Sequence, residues 1–357
     1  MLAAAARGEW MAARARGPGG VGSGARASLA GSGLGGGGRA PAGPGRSMTT
    51  PVRPVALTIG VFDGLHRGHQ AVIAATVEAA RRRAGAAWVA TFDPHPDTVV
   101  RGSAPRPWIT PPDERADLLH QMGIDRVEIA RFDREIQALT PEGFLDRVLG
   151  PGAPLAALVL GADFRMGRDR VGDRAYLESL GRSRGFEVLE VPLVKGDGAK
   201  LSSTALRQEV VAGRVESASE IMGRPYALEG RIGSGAGRGT GLGYPTANLE
   251  IHPAKLLPAP GIYISYNDLG GGERQPGITY IGSASTFGPG PTRVEVHLLD
   301  FSGSLRGRHL KTMLISQLRA DEVFSSPADL VKAMEKDLQR ARAFWAASKP
   351  AGRESRA

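Results

Sequence analysis

Two histidines three residues apart are the first side chains able to do chemistry. They lie in Gly60-Val61-Phe62-Asp63-Gly64-Leu65-His66-Arg67-Gly68-His69, after an apolar stretch of strand length, Val55–Phe62, and before a helix expected over Gln70–Arg83. His66 and His69 at this spacing can face one phosphate chain. The N–H groups and positive dipole end of the following helix point toward the same anion, and Gly64 and Gly68 allow close backbone approach. Alone, H-x-G-H reads as two surface imidazoles; the strand before it and the helix after it favour a phosphate site. A second half lies far along the chain in Leu201-Ser202-Ser203-Thr204-Ala205-Leu206-Arg207. Its hydroxyls sit at a helix start and Arg207 adds a fixed positive charge, although Ser202 alone would be an ordinary helix cap.

A second kind of chemistry is written near the C-terminus. Gly235-Ala236-Gly237-Arg238-Gly239-Thr240-Gly241-Leu242-Gly243-Tyr244-Pro245-Thr246-Ala247-Asn248 is glycine-rich but lacks the G-K-[ST] ending of a Walker loop. The glycines alone describe a flexible hairpin. Thr246 and Asn248, two apart on an extended segment, share a face and offer two oxygen ligands to one Mg²⁺. Glu295 alternates with Val294 and Val296 in Arg293–Asp300 and so projects from the opposite face of its strand. The plain reading of Glu295 is a solvated carboxylate.

The elements that position these residues alternate up to about residue 222. Strands are expected at Val55–Phe62, Ala86–Phe92, Arg126–Ile129, Leu155–Leu160 and Glu187–Val191. Helices are expected at Gln70–Arg83, Asp113–Met122, Thr140–Leu149, Ala175–Arg184 and Ser202–Val211, the last closed by Gly213. This alternation predicts a doubly wound, Rossmann-like parallel sheet with helices on both faces. Thr91-Phe92-Asp93-Pro94-His95-Pro96 and Gly161-Ala162-Asp163-Phe164-Arg165-Met166-Gly167 both follow strands and reach the ligand edge of that sheet. Phe92 there is either a ring for stacking or a core aromatic. Beyond Gly223-Arg224-Pro225 come strand-like pieces at Tyr226–Ile232, Gly261–Tyr266, Gly277–Ile281, Arg293–Asp300 and Thr312–Leu318. They predict a small antiparallel barrel. Ser326-Pro327 then starts a last helix whose Leu330, Met334, Leu338 and Ala341 form a packing stripe.

Taken in order, GVFDGLHRGH, TFDPHP, GADFRMG and SSTALR resemble the N-terminal half of bacterial FAD synthetases, the bifunctional riboflavin kinase/FMN adenylyltransferase family, and P-T-A-N-L after a glycine loop resembles the riboflavin kinase half. The resemblance spans about residues 54–346. It implies two ATP-dependent steps, riboflavin to FMN and FMN to FAD. It assigns Gly60, Phe62, Asp63, Gly64, His66, His69, Ser202, Ser203, Thr204 and Arg207 to the ATP of adenylyl transfer, with His66, His69 and Arg207 acting on the reacting phosphates. Phe92, Asp93, His95, Asp163 and Phe164 would lie near flavin or adenosine. For the kinase it implies Gly235, Arg238, Gly243 and Thr246 on ATP, Thr246 and Asn248 on Mg²⁺, and Glu295 as general base. Asp337 and Arg342 would help to cover the flavin. Departures fall in the kinase half: Tyr280 and Ser285 replace the usual Asn and Pro, Ala236 and Thr240 stand in the glycine loop, and Arg306 replaces a Tyr. A kinase of altered affinity is therefore expected. The alternatives are adenylyl transfer alone with a degenerate kinase half, and a basic nucleic-acid-binding protein.

Composition bounds the rest. The chain has 357 residues, no cysteine, 50 glycines and a formal net charge of +9. The length suits two domains, and the lack of Cys excludes disulfide frameworks, Cys-ligated zinc and a thiol nucleophile. No apolar run reaches bilayer-spanning length. Residues 1–47 carry six Arg against the single acid Glu9, and 14 of the glycines. About half of the excess charge thus lies in a segment too poor in large apolar side chains to fold. The favoured reading is upstream sequence with the start at Met48; a transit peptide or a nucleic-acid tail are the others. The expected divisions are 1–50 as an extension, 51–222 for adenylyl transfer, 223–348 for the kinase and 349–357 as a tail. The expected setting is cytoplasmic, or a plastid or mitochondrion if the extension is a transit peptide. The partners are riboflavin, FMN, FAD and ATP, with neither nucleic acid nor membrane, and an oligomer is allowed.

Overall fold

The structure is a computed structural model that describes residues 53–196, 199–233, 244–283 and 291–348. Strand–helix alternation produces β1 (Val55–Ile59), α1 (Arg67–Arg82), β2 (Ala86–Asp93), α2 (Pro96–Val100), α3 (Pro112–Gln121), β3 (Arg126–Arg131), α4 (Arg134–Ala138), α5 (Pro141–Leu149), β4 (Leu155–Gly161), α6 (Arg174–Arg184) and β5 (Glu187–Val191). All five strands run parallel in the order β3-β2-β1-β4-β5. The strand order reverses between β1 and β4, and ligands of such sheets bind beyond the strand ends at that point. Strand alternation decides which helices cover which face. Val55, Leu57 and Ile59 of β1 pack with Phe144 and Leu145 of α5 and Leu177 of α6. Ala56 faces the other layer, with Ile73 of α1 and Leu119 of α3.

A two-stranded ribbon, β6 (Lys195–Gly196) and β7 (Ala199–Lys200), leads to α7 (Ser203–Val211) and α8 (Val215–Met222). The barrel follows as β8 (Tyr226–Gly233), β9 (Ala247–Ile251), β10 (Gly261–Asp268), β11 (Arg274–Gly282), β12 (Arg293–Leu298) and β13 (His309–Ala320), and α9 (Pro327–Ser348) ends the fold. The barrel is closed in the order β10-β11-β12-β9-β8-β13, and its pairings are antiparallel. Its interior holds Leu228, Leu249, Tyr263, Val294, Val296 and Leu314. Val215, Ala218 and Met222 of α8, Leu206 and Val210 of α7, and Ile109 join the same core. One of the apolar clusters therefore joins the two halves.

Several elements differ from the expectation. β1 stops at Ile59 because the chain turns sharply there: Phe62, Gly64 and Leu65 have φ of 52°, 84° and 43°. α1 starts at Arg67, three residues early, because His66 caps it. The barrel has six strands rather than five, since the P-T-A-N segment opens β9. α8 was not expected; its three buried apolar residues sit among Glu and Ser, and it is helical because the barrel core receives them. β12 ends at Leu298, with Asp300 at φ 54° in the turn beyond. In α9, Leu338 and Ala341 are buried against Ile262 and Ile278 of the barrel, as the packing stripe predicts.

Candidate active sites

The H-x-G-H turn is built by backbone contacts. His66 Nδ1 accepts from the N–H groups of Gly68 (3.1 Å) and His69 (3.4 Å). An imidazole whose Nδ1 accepts carries its neutral-form proton on Nε2, which is then a donor. The His66 and His69 rings stack with centroids 3.7 Å apart, and the edge of Phe62 closes on His69 at 5.2 Å. Burial holds the His69 pKa well below the ordinary imidazole value, and the positive charges of Arg115 and Arg224 add to the effect of His66. His69 is thus neutral at pH 7, and its Nδ1 is buried with no hydrogen-bond partner among the described residues.

Asp63 connects this turn to the S-S-T-A-L-R helix, 140 residues away, and Ser203 Oγ donates to the Asp63 carbonyl at 2.8 Å. The buried Asp63 carboxylate accepts from Thr110 N (2.9 Å) and from Arg207 Nη2 (2.9 Å), while Arg207 Nη1 donates to Pro107 O (2.6 Å). Burial raises the Asp63 pKa against the lowering by Thr110 and Arg207. Ser202 Oγ caps α7 by accepting from Ala205 N (3.2 Å). Gly64 donates to Thr110 Oγ1 (2.8 Å), and a Cβ on Gly64 would meet Leu206 at 2.5 Å. The two distant motifs are thus brought together as the sequence predicts. However, Asp63 and Arg207 spend their side chains on each other, Ser202 serves as a cap, and Phe62 lies beneath His69. Gly60 sits at the end of β1 and Thr204 is exposed on the first turn of α7.

On the flavin side the structure corrects one expectation. Phe92 is 8% exposed and packs against Phe132 and Phe144 in the core, so it offers no open stacking ring. Asp93 is exposed at the end of β2. His95 caps α2 by accepting from Asp97 N (3.1 Å), and burial together with the Arg106 charge pushes its pKa down to about 4. Asp163 and Phe164 line a cleft of about 590 Å³ beyond β4 and β5, with Arg165, Arg174 and Glu190 on its wall.

Sequence reasoning missed Arg115 of α3. It is completely buried, its Nη1 and Nη2 donate to Val61 O (2.7 Å) and Phe92 O (3.0 Å), and it lies over the Trp108 ring. Burial lowers its pKa to about 10, with Asp63 and Asp93 opposing. Also missed was Lys255, buried against Glu114 at 2.6 Å between the two halves. In the sequence both look like ordinary solvated charges.

The second site is a row across the barrel's outer face. The register places Ile262, Tyr280, Glu295, Asn248 and Gly233 side by side on β10, β11, β12, β9 and β8. Val294 and Val296 point inward, so Glu295 points out, as alternation predicts. Thr246 Oγ1 donates to Glu295 Oε2 at 3.1 Å. That hydrogen bond leaves the threonine oxygen's lone pairs for a cation, beside Asn248. Oxygen donors of this kind suit Mg²⁺, which also takes phosphate oxygens. Helix α9 borders the row: Tyr280 packs in the cluster of Leu338 and Ala341 and donates to Asp321 Oδ2 (3.2 Å), and Tyr244 donates to Glu335 (3.4 Å). Asp337 is not presented to an open site. It is 2% exposed and takes Arg319 Nε and Nη2 at 3.0 and 2.9 Å. Arg342 is exposed and pairs with Asp300 at 2.9 Å. Gly235, Arg238, Gly243, Ala236, Thr240 and Ser285 lie outside the described residues.

The FAD synthetase family matches residues 49–205 and the riboflavin kinase family residues 222–345. The chain is 34% identical over 296 residues to a bifunctional riboflavin kinase/FMN adenylyltransferase of Escherichia coli (strain K12), covering 83% of this chain and 94% of that protein. It is 36% identical over 300 residues to the protein of the same description from Pseudomonas fluorescens, covering 82% and 93%. A crystal structure named as a macrolide-efflux protein from Streptococcus pneumoniae aligns with a TM-score of 0.70 and 27% identity, over 83% of this chain and 96% of that one.

Proposed function

Because this chain belongs to the bifunctional riboflavin kinase/FMN adenylyltransferase family, we propose that the H-x-G-H turn carries its adenylyl transfer and the Thr246–Asn248–Glu295 row its kinase step. The chain phosphorylates riboflavin with ATP, releasing ADP, and then transfers AMP from ATP to FMN, giving FAD and pyrophosphate. The name of the streptococcal structure refers to efflux; no described helix of this chain is long and apolar enough to cross a membrane.

In adenylyl transfer an oxygen of the FMN phosphate attacks the α-phosphorus of ATP and pyrophosphate leaves. The nucleophile is already an anion, so the step needs alignment and charge stabilisation rather than a base. Neutral His69 and the Nε2–H of His66 meet this as hydrogen-bond donors at the start of α1, where the dipole also favours phosphate. Arg207 supplies positive charge from its place against Asp63, and buried Arg115 adds a second fixed cation behind the turn. Asp163 and Phe164, at the cleft beyond β4, are suited to the flavin or adenosine.

In the kinase step Glu295 takes the proton of the ribityl 5′-hydroxyl as its oxygen attacks the γ-phosphorus. Thr246 holds one Glu295 oxygen, which leaves the other for the substrate hydroxyl. Thr246 and Asn248 are the residues that would hold Mg²⁺. Bound there with ATP, the ion would neutralise charge developing on the transferred phosphoryl group. The carrying observation is the hydrogen bond from Thr246 to Glu295 in a row that also contains Asn248. The test supplies riboflavin and Mg-ATP to the full chain and separates the products. Both FMN and FAD are expected. FAD formation only from supplied FMN would favour a kinase half that does no chemistry.

A further inference from the structure

The link between the two halves, Gly223-Arg224-Pro225, reaches back into the first site. Arg224 is half-buried just before β8, and its Nη1 and Nη2 donate to the carbonyls of Leu65 (2.9 Å) and Gly64 (3.0 Å). Gln70 donates to the same Leu65 carbonyl (2.8 Å) and to Met222 O (2.6 Å) at the end of α8. The gripped residues form the strained part of the H-x-G-H turn. Leu65 is a non-glycine residue at φ 43° and Gly64 stands at φ 84°. A left-handed non-glycine residue is strained and persists where its surroundings hold it. Leu65 is followed directly by His66, whose ring is set by the cap it makes to Gly68 and His69. Part of the hold on the turn therefore comes from the opposite half of the chain, beside Thr110, Ser203 and Gln70 of its own half.

We propose that Arg224 is a positioning residue for adenylyl transfer, acting through the Gly64 and Leu65 carbonyls to set the place of His66. The barrel's first segment thereby completes the site of the other half. The proposal rests on the reading of His66 as a phosphate-holding residue. A structural brace alone would lower both activities or stability; a positioning residue lowers one.

The experiment compares full-length Arg224→Ala, Arg224→Lys and His66→Ala with the parent chain. It measures kcat and KM for FAD formation from FMN, FMN formation from riboflavin, and thermal unfolding. Arg224→Ala is expected to lose at least about tenfold in kcat for FAD formation, because small misplacements of aligned groups are costly in rate. FMN formation should stay within about twofold. Arg224→Lys, which keeps the charge but not the forked guanidinium, should fall between, and it carries the test if the Ala variant does not fold. The proposal is overturned if FAD formation is kept in Arg224→Ala while His66→Ala loses it, or if both activities fall together. If His66→Ala itself retains FAD formation, the reading of the site fails and the proposal with it.

Discussion

The two proposed phosphate sites of this chain are built on opposite plans. The first is made of turns at the ends of parallel strands, and its side chains are anchored by the protein itself: His66 in a cap, Asp63 on Arg207, Arg115 on the backbone carbonyls of Val61 and Phe92. The second is a row on one face of paired strands, where pleat and register put Glu295 between Tyr280 and Asn248. The difference follows the chemistry. An anionic nucleophile needs aligned donors and fixed charge, which backbone turns and helix starts supply. A hydroxyl nucleophile needs a carboxylate within reach, which a rigid strand supplies.

The largest effect should come from removing that carboxylate. Glu295→Gln keeps the shape and the contact with Thr246 but removes the proposed base, so FMN formation should fall on the order of 10²–10⁴-fold. FAD formation from supplied FMN should stay within about twofold; separate assays of the two products check it, and a joint loss would erase the distinction between the sites. The mirror experiment is His66→Asn, since Asn keeps a good N-cap while removing the Nε2 donor. FAD formation should drop on the order of 10²–10³-fold, as for loss of a preorganised donor, with FMN formation unaffected. Retained FAD formation would mean that His66 matters only as a cap.

Next in size is a stability effect confined to the first site. Asp63→Asn leaves Arg207 without its carboxylate in a largely buried place; the Asp63 side chain is 2% and that of Arg207 19% exposed. Breaking such a pair costs about 3 kcal/mol, measurable by urea unfolding. If stability is unchanged, Arg207 is not anchored as described, and the contrast in preorganisation weakens.

These contrasts also mark what could be read from residues alone. The meeting of the H-x-G-H turn with the S-S-T-A-L-R helix, the parallel sheet and the barrel were legible because they follow from glycine turns, helix starts and apolar periodicity. Phe92 was ambiguous, since an aromatic at a strand end has the same pattern whether it stacks on a ligand or on Phe132 and Phe144. Arg115, Lys255 and Arg224 were invisible as functional or core residues. Charged side chains are mostly exposed, and what buries each of these is a partner distant in sequence: the Val61 and Phe92 carbonyls, Glu114, or the Gly64–Leu65 turn. β9 was hidden by the Gly and Pro before it, although the face shared by Thr246 and Asn248 was apparent.

The sheet half should also be the acid-sensitive one. His95 titrates near 4 in the fold against an ordinary value of 6.5, and His69 is shifted in the same direction. Between those values the unfolded chain binds a proton that the folded chain does not. Stability is therefore full above about pH 6.5 and declines as the pH falls toward 4, by roughly 1.4 kcal/mol per pH unit for each proton. Urea unfolding at pH 7.5 and 5.5 reads the loss. His95→Asn, which keeps a cap for α2, should make it smaller; an equal loss in the variant would remove His95 as a cause.

The smallest effect should come from Tyr280, and it bears on how finished the second site is. Tyr280 stands directly opposite Glu295 in the register. Its ring packs among the side chains of α9 and its hydroxyl holds Asp321. This makes Tyr280 part of the wall beside Glu295 rather than a group in the proposed reaction. Tyr280→Phe removes one hydrogen bond, whose net worth is about 1 kcal/mol. The KM for riboflavin should change by about fivefold or less, with kcat for FMN formation little altered. A fall in kcat comparable to that of Glu295→Gln would instead make the phenol part of the proton transfer. The second site would then share with the first the use of more than one preset donor.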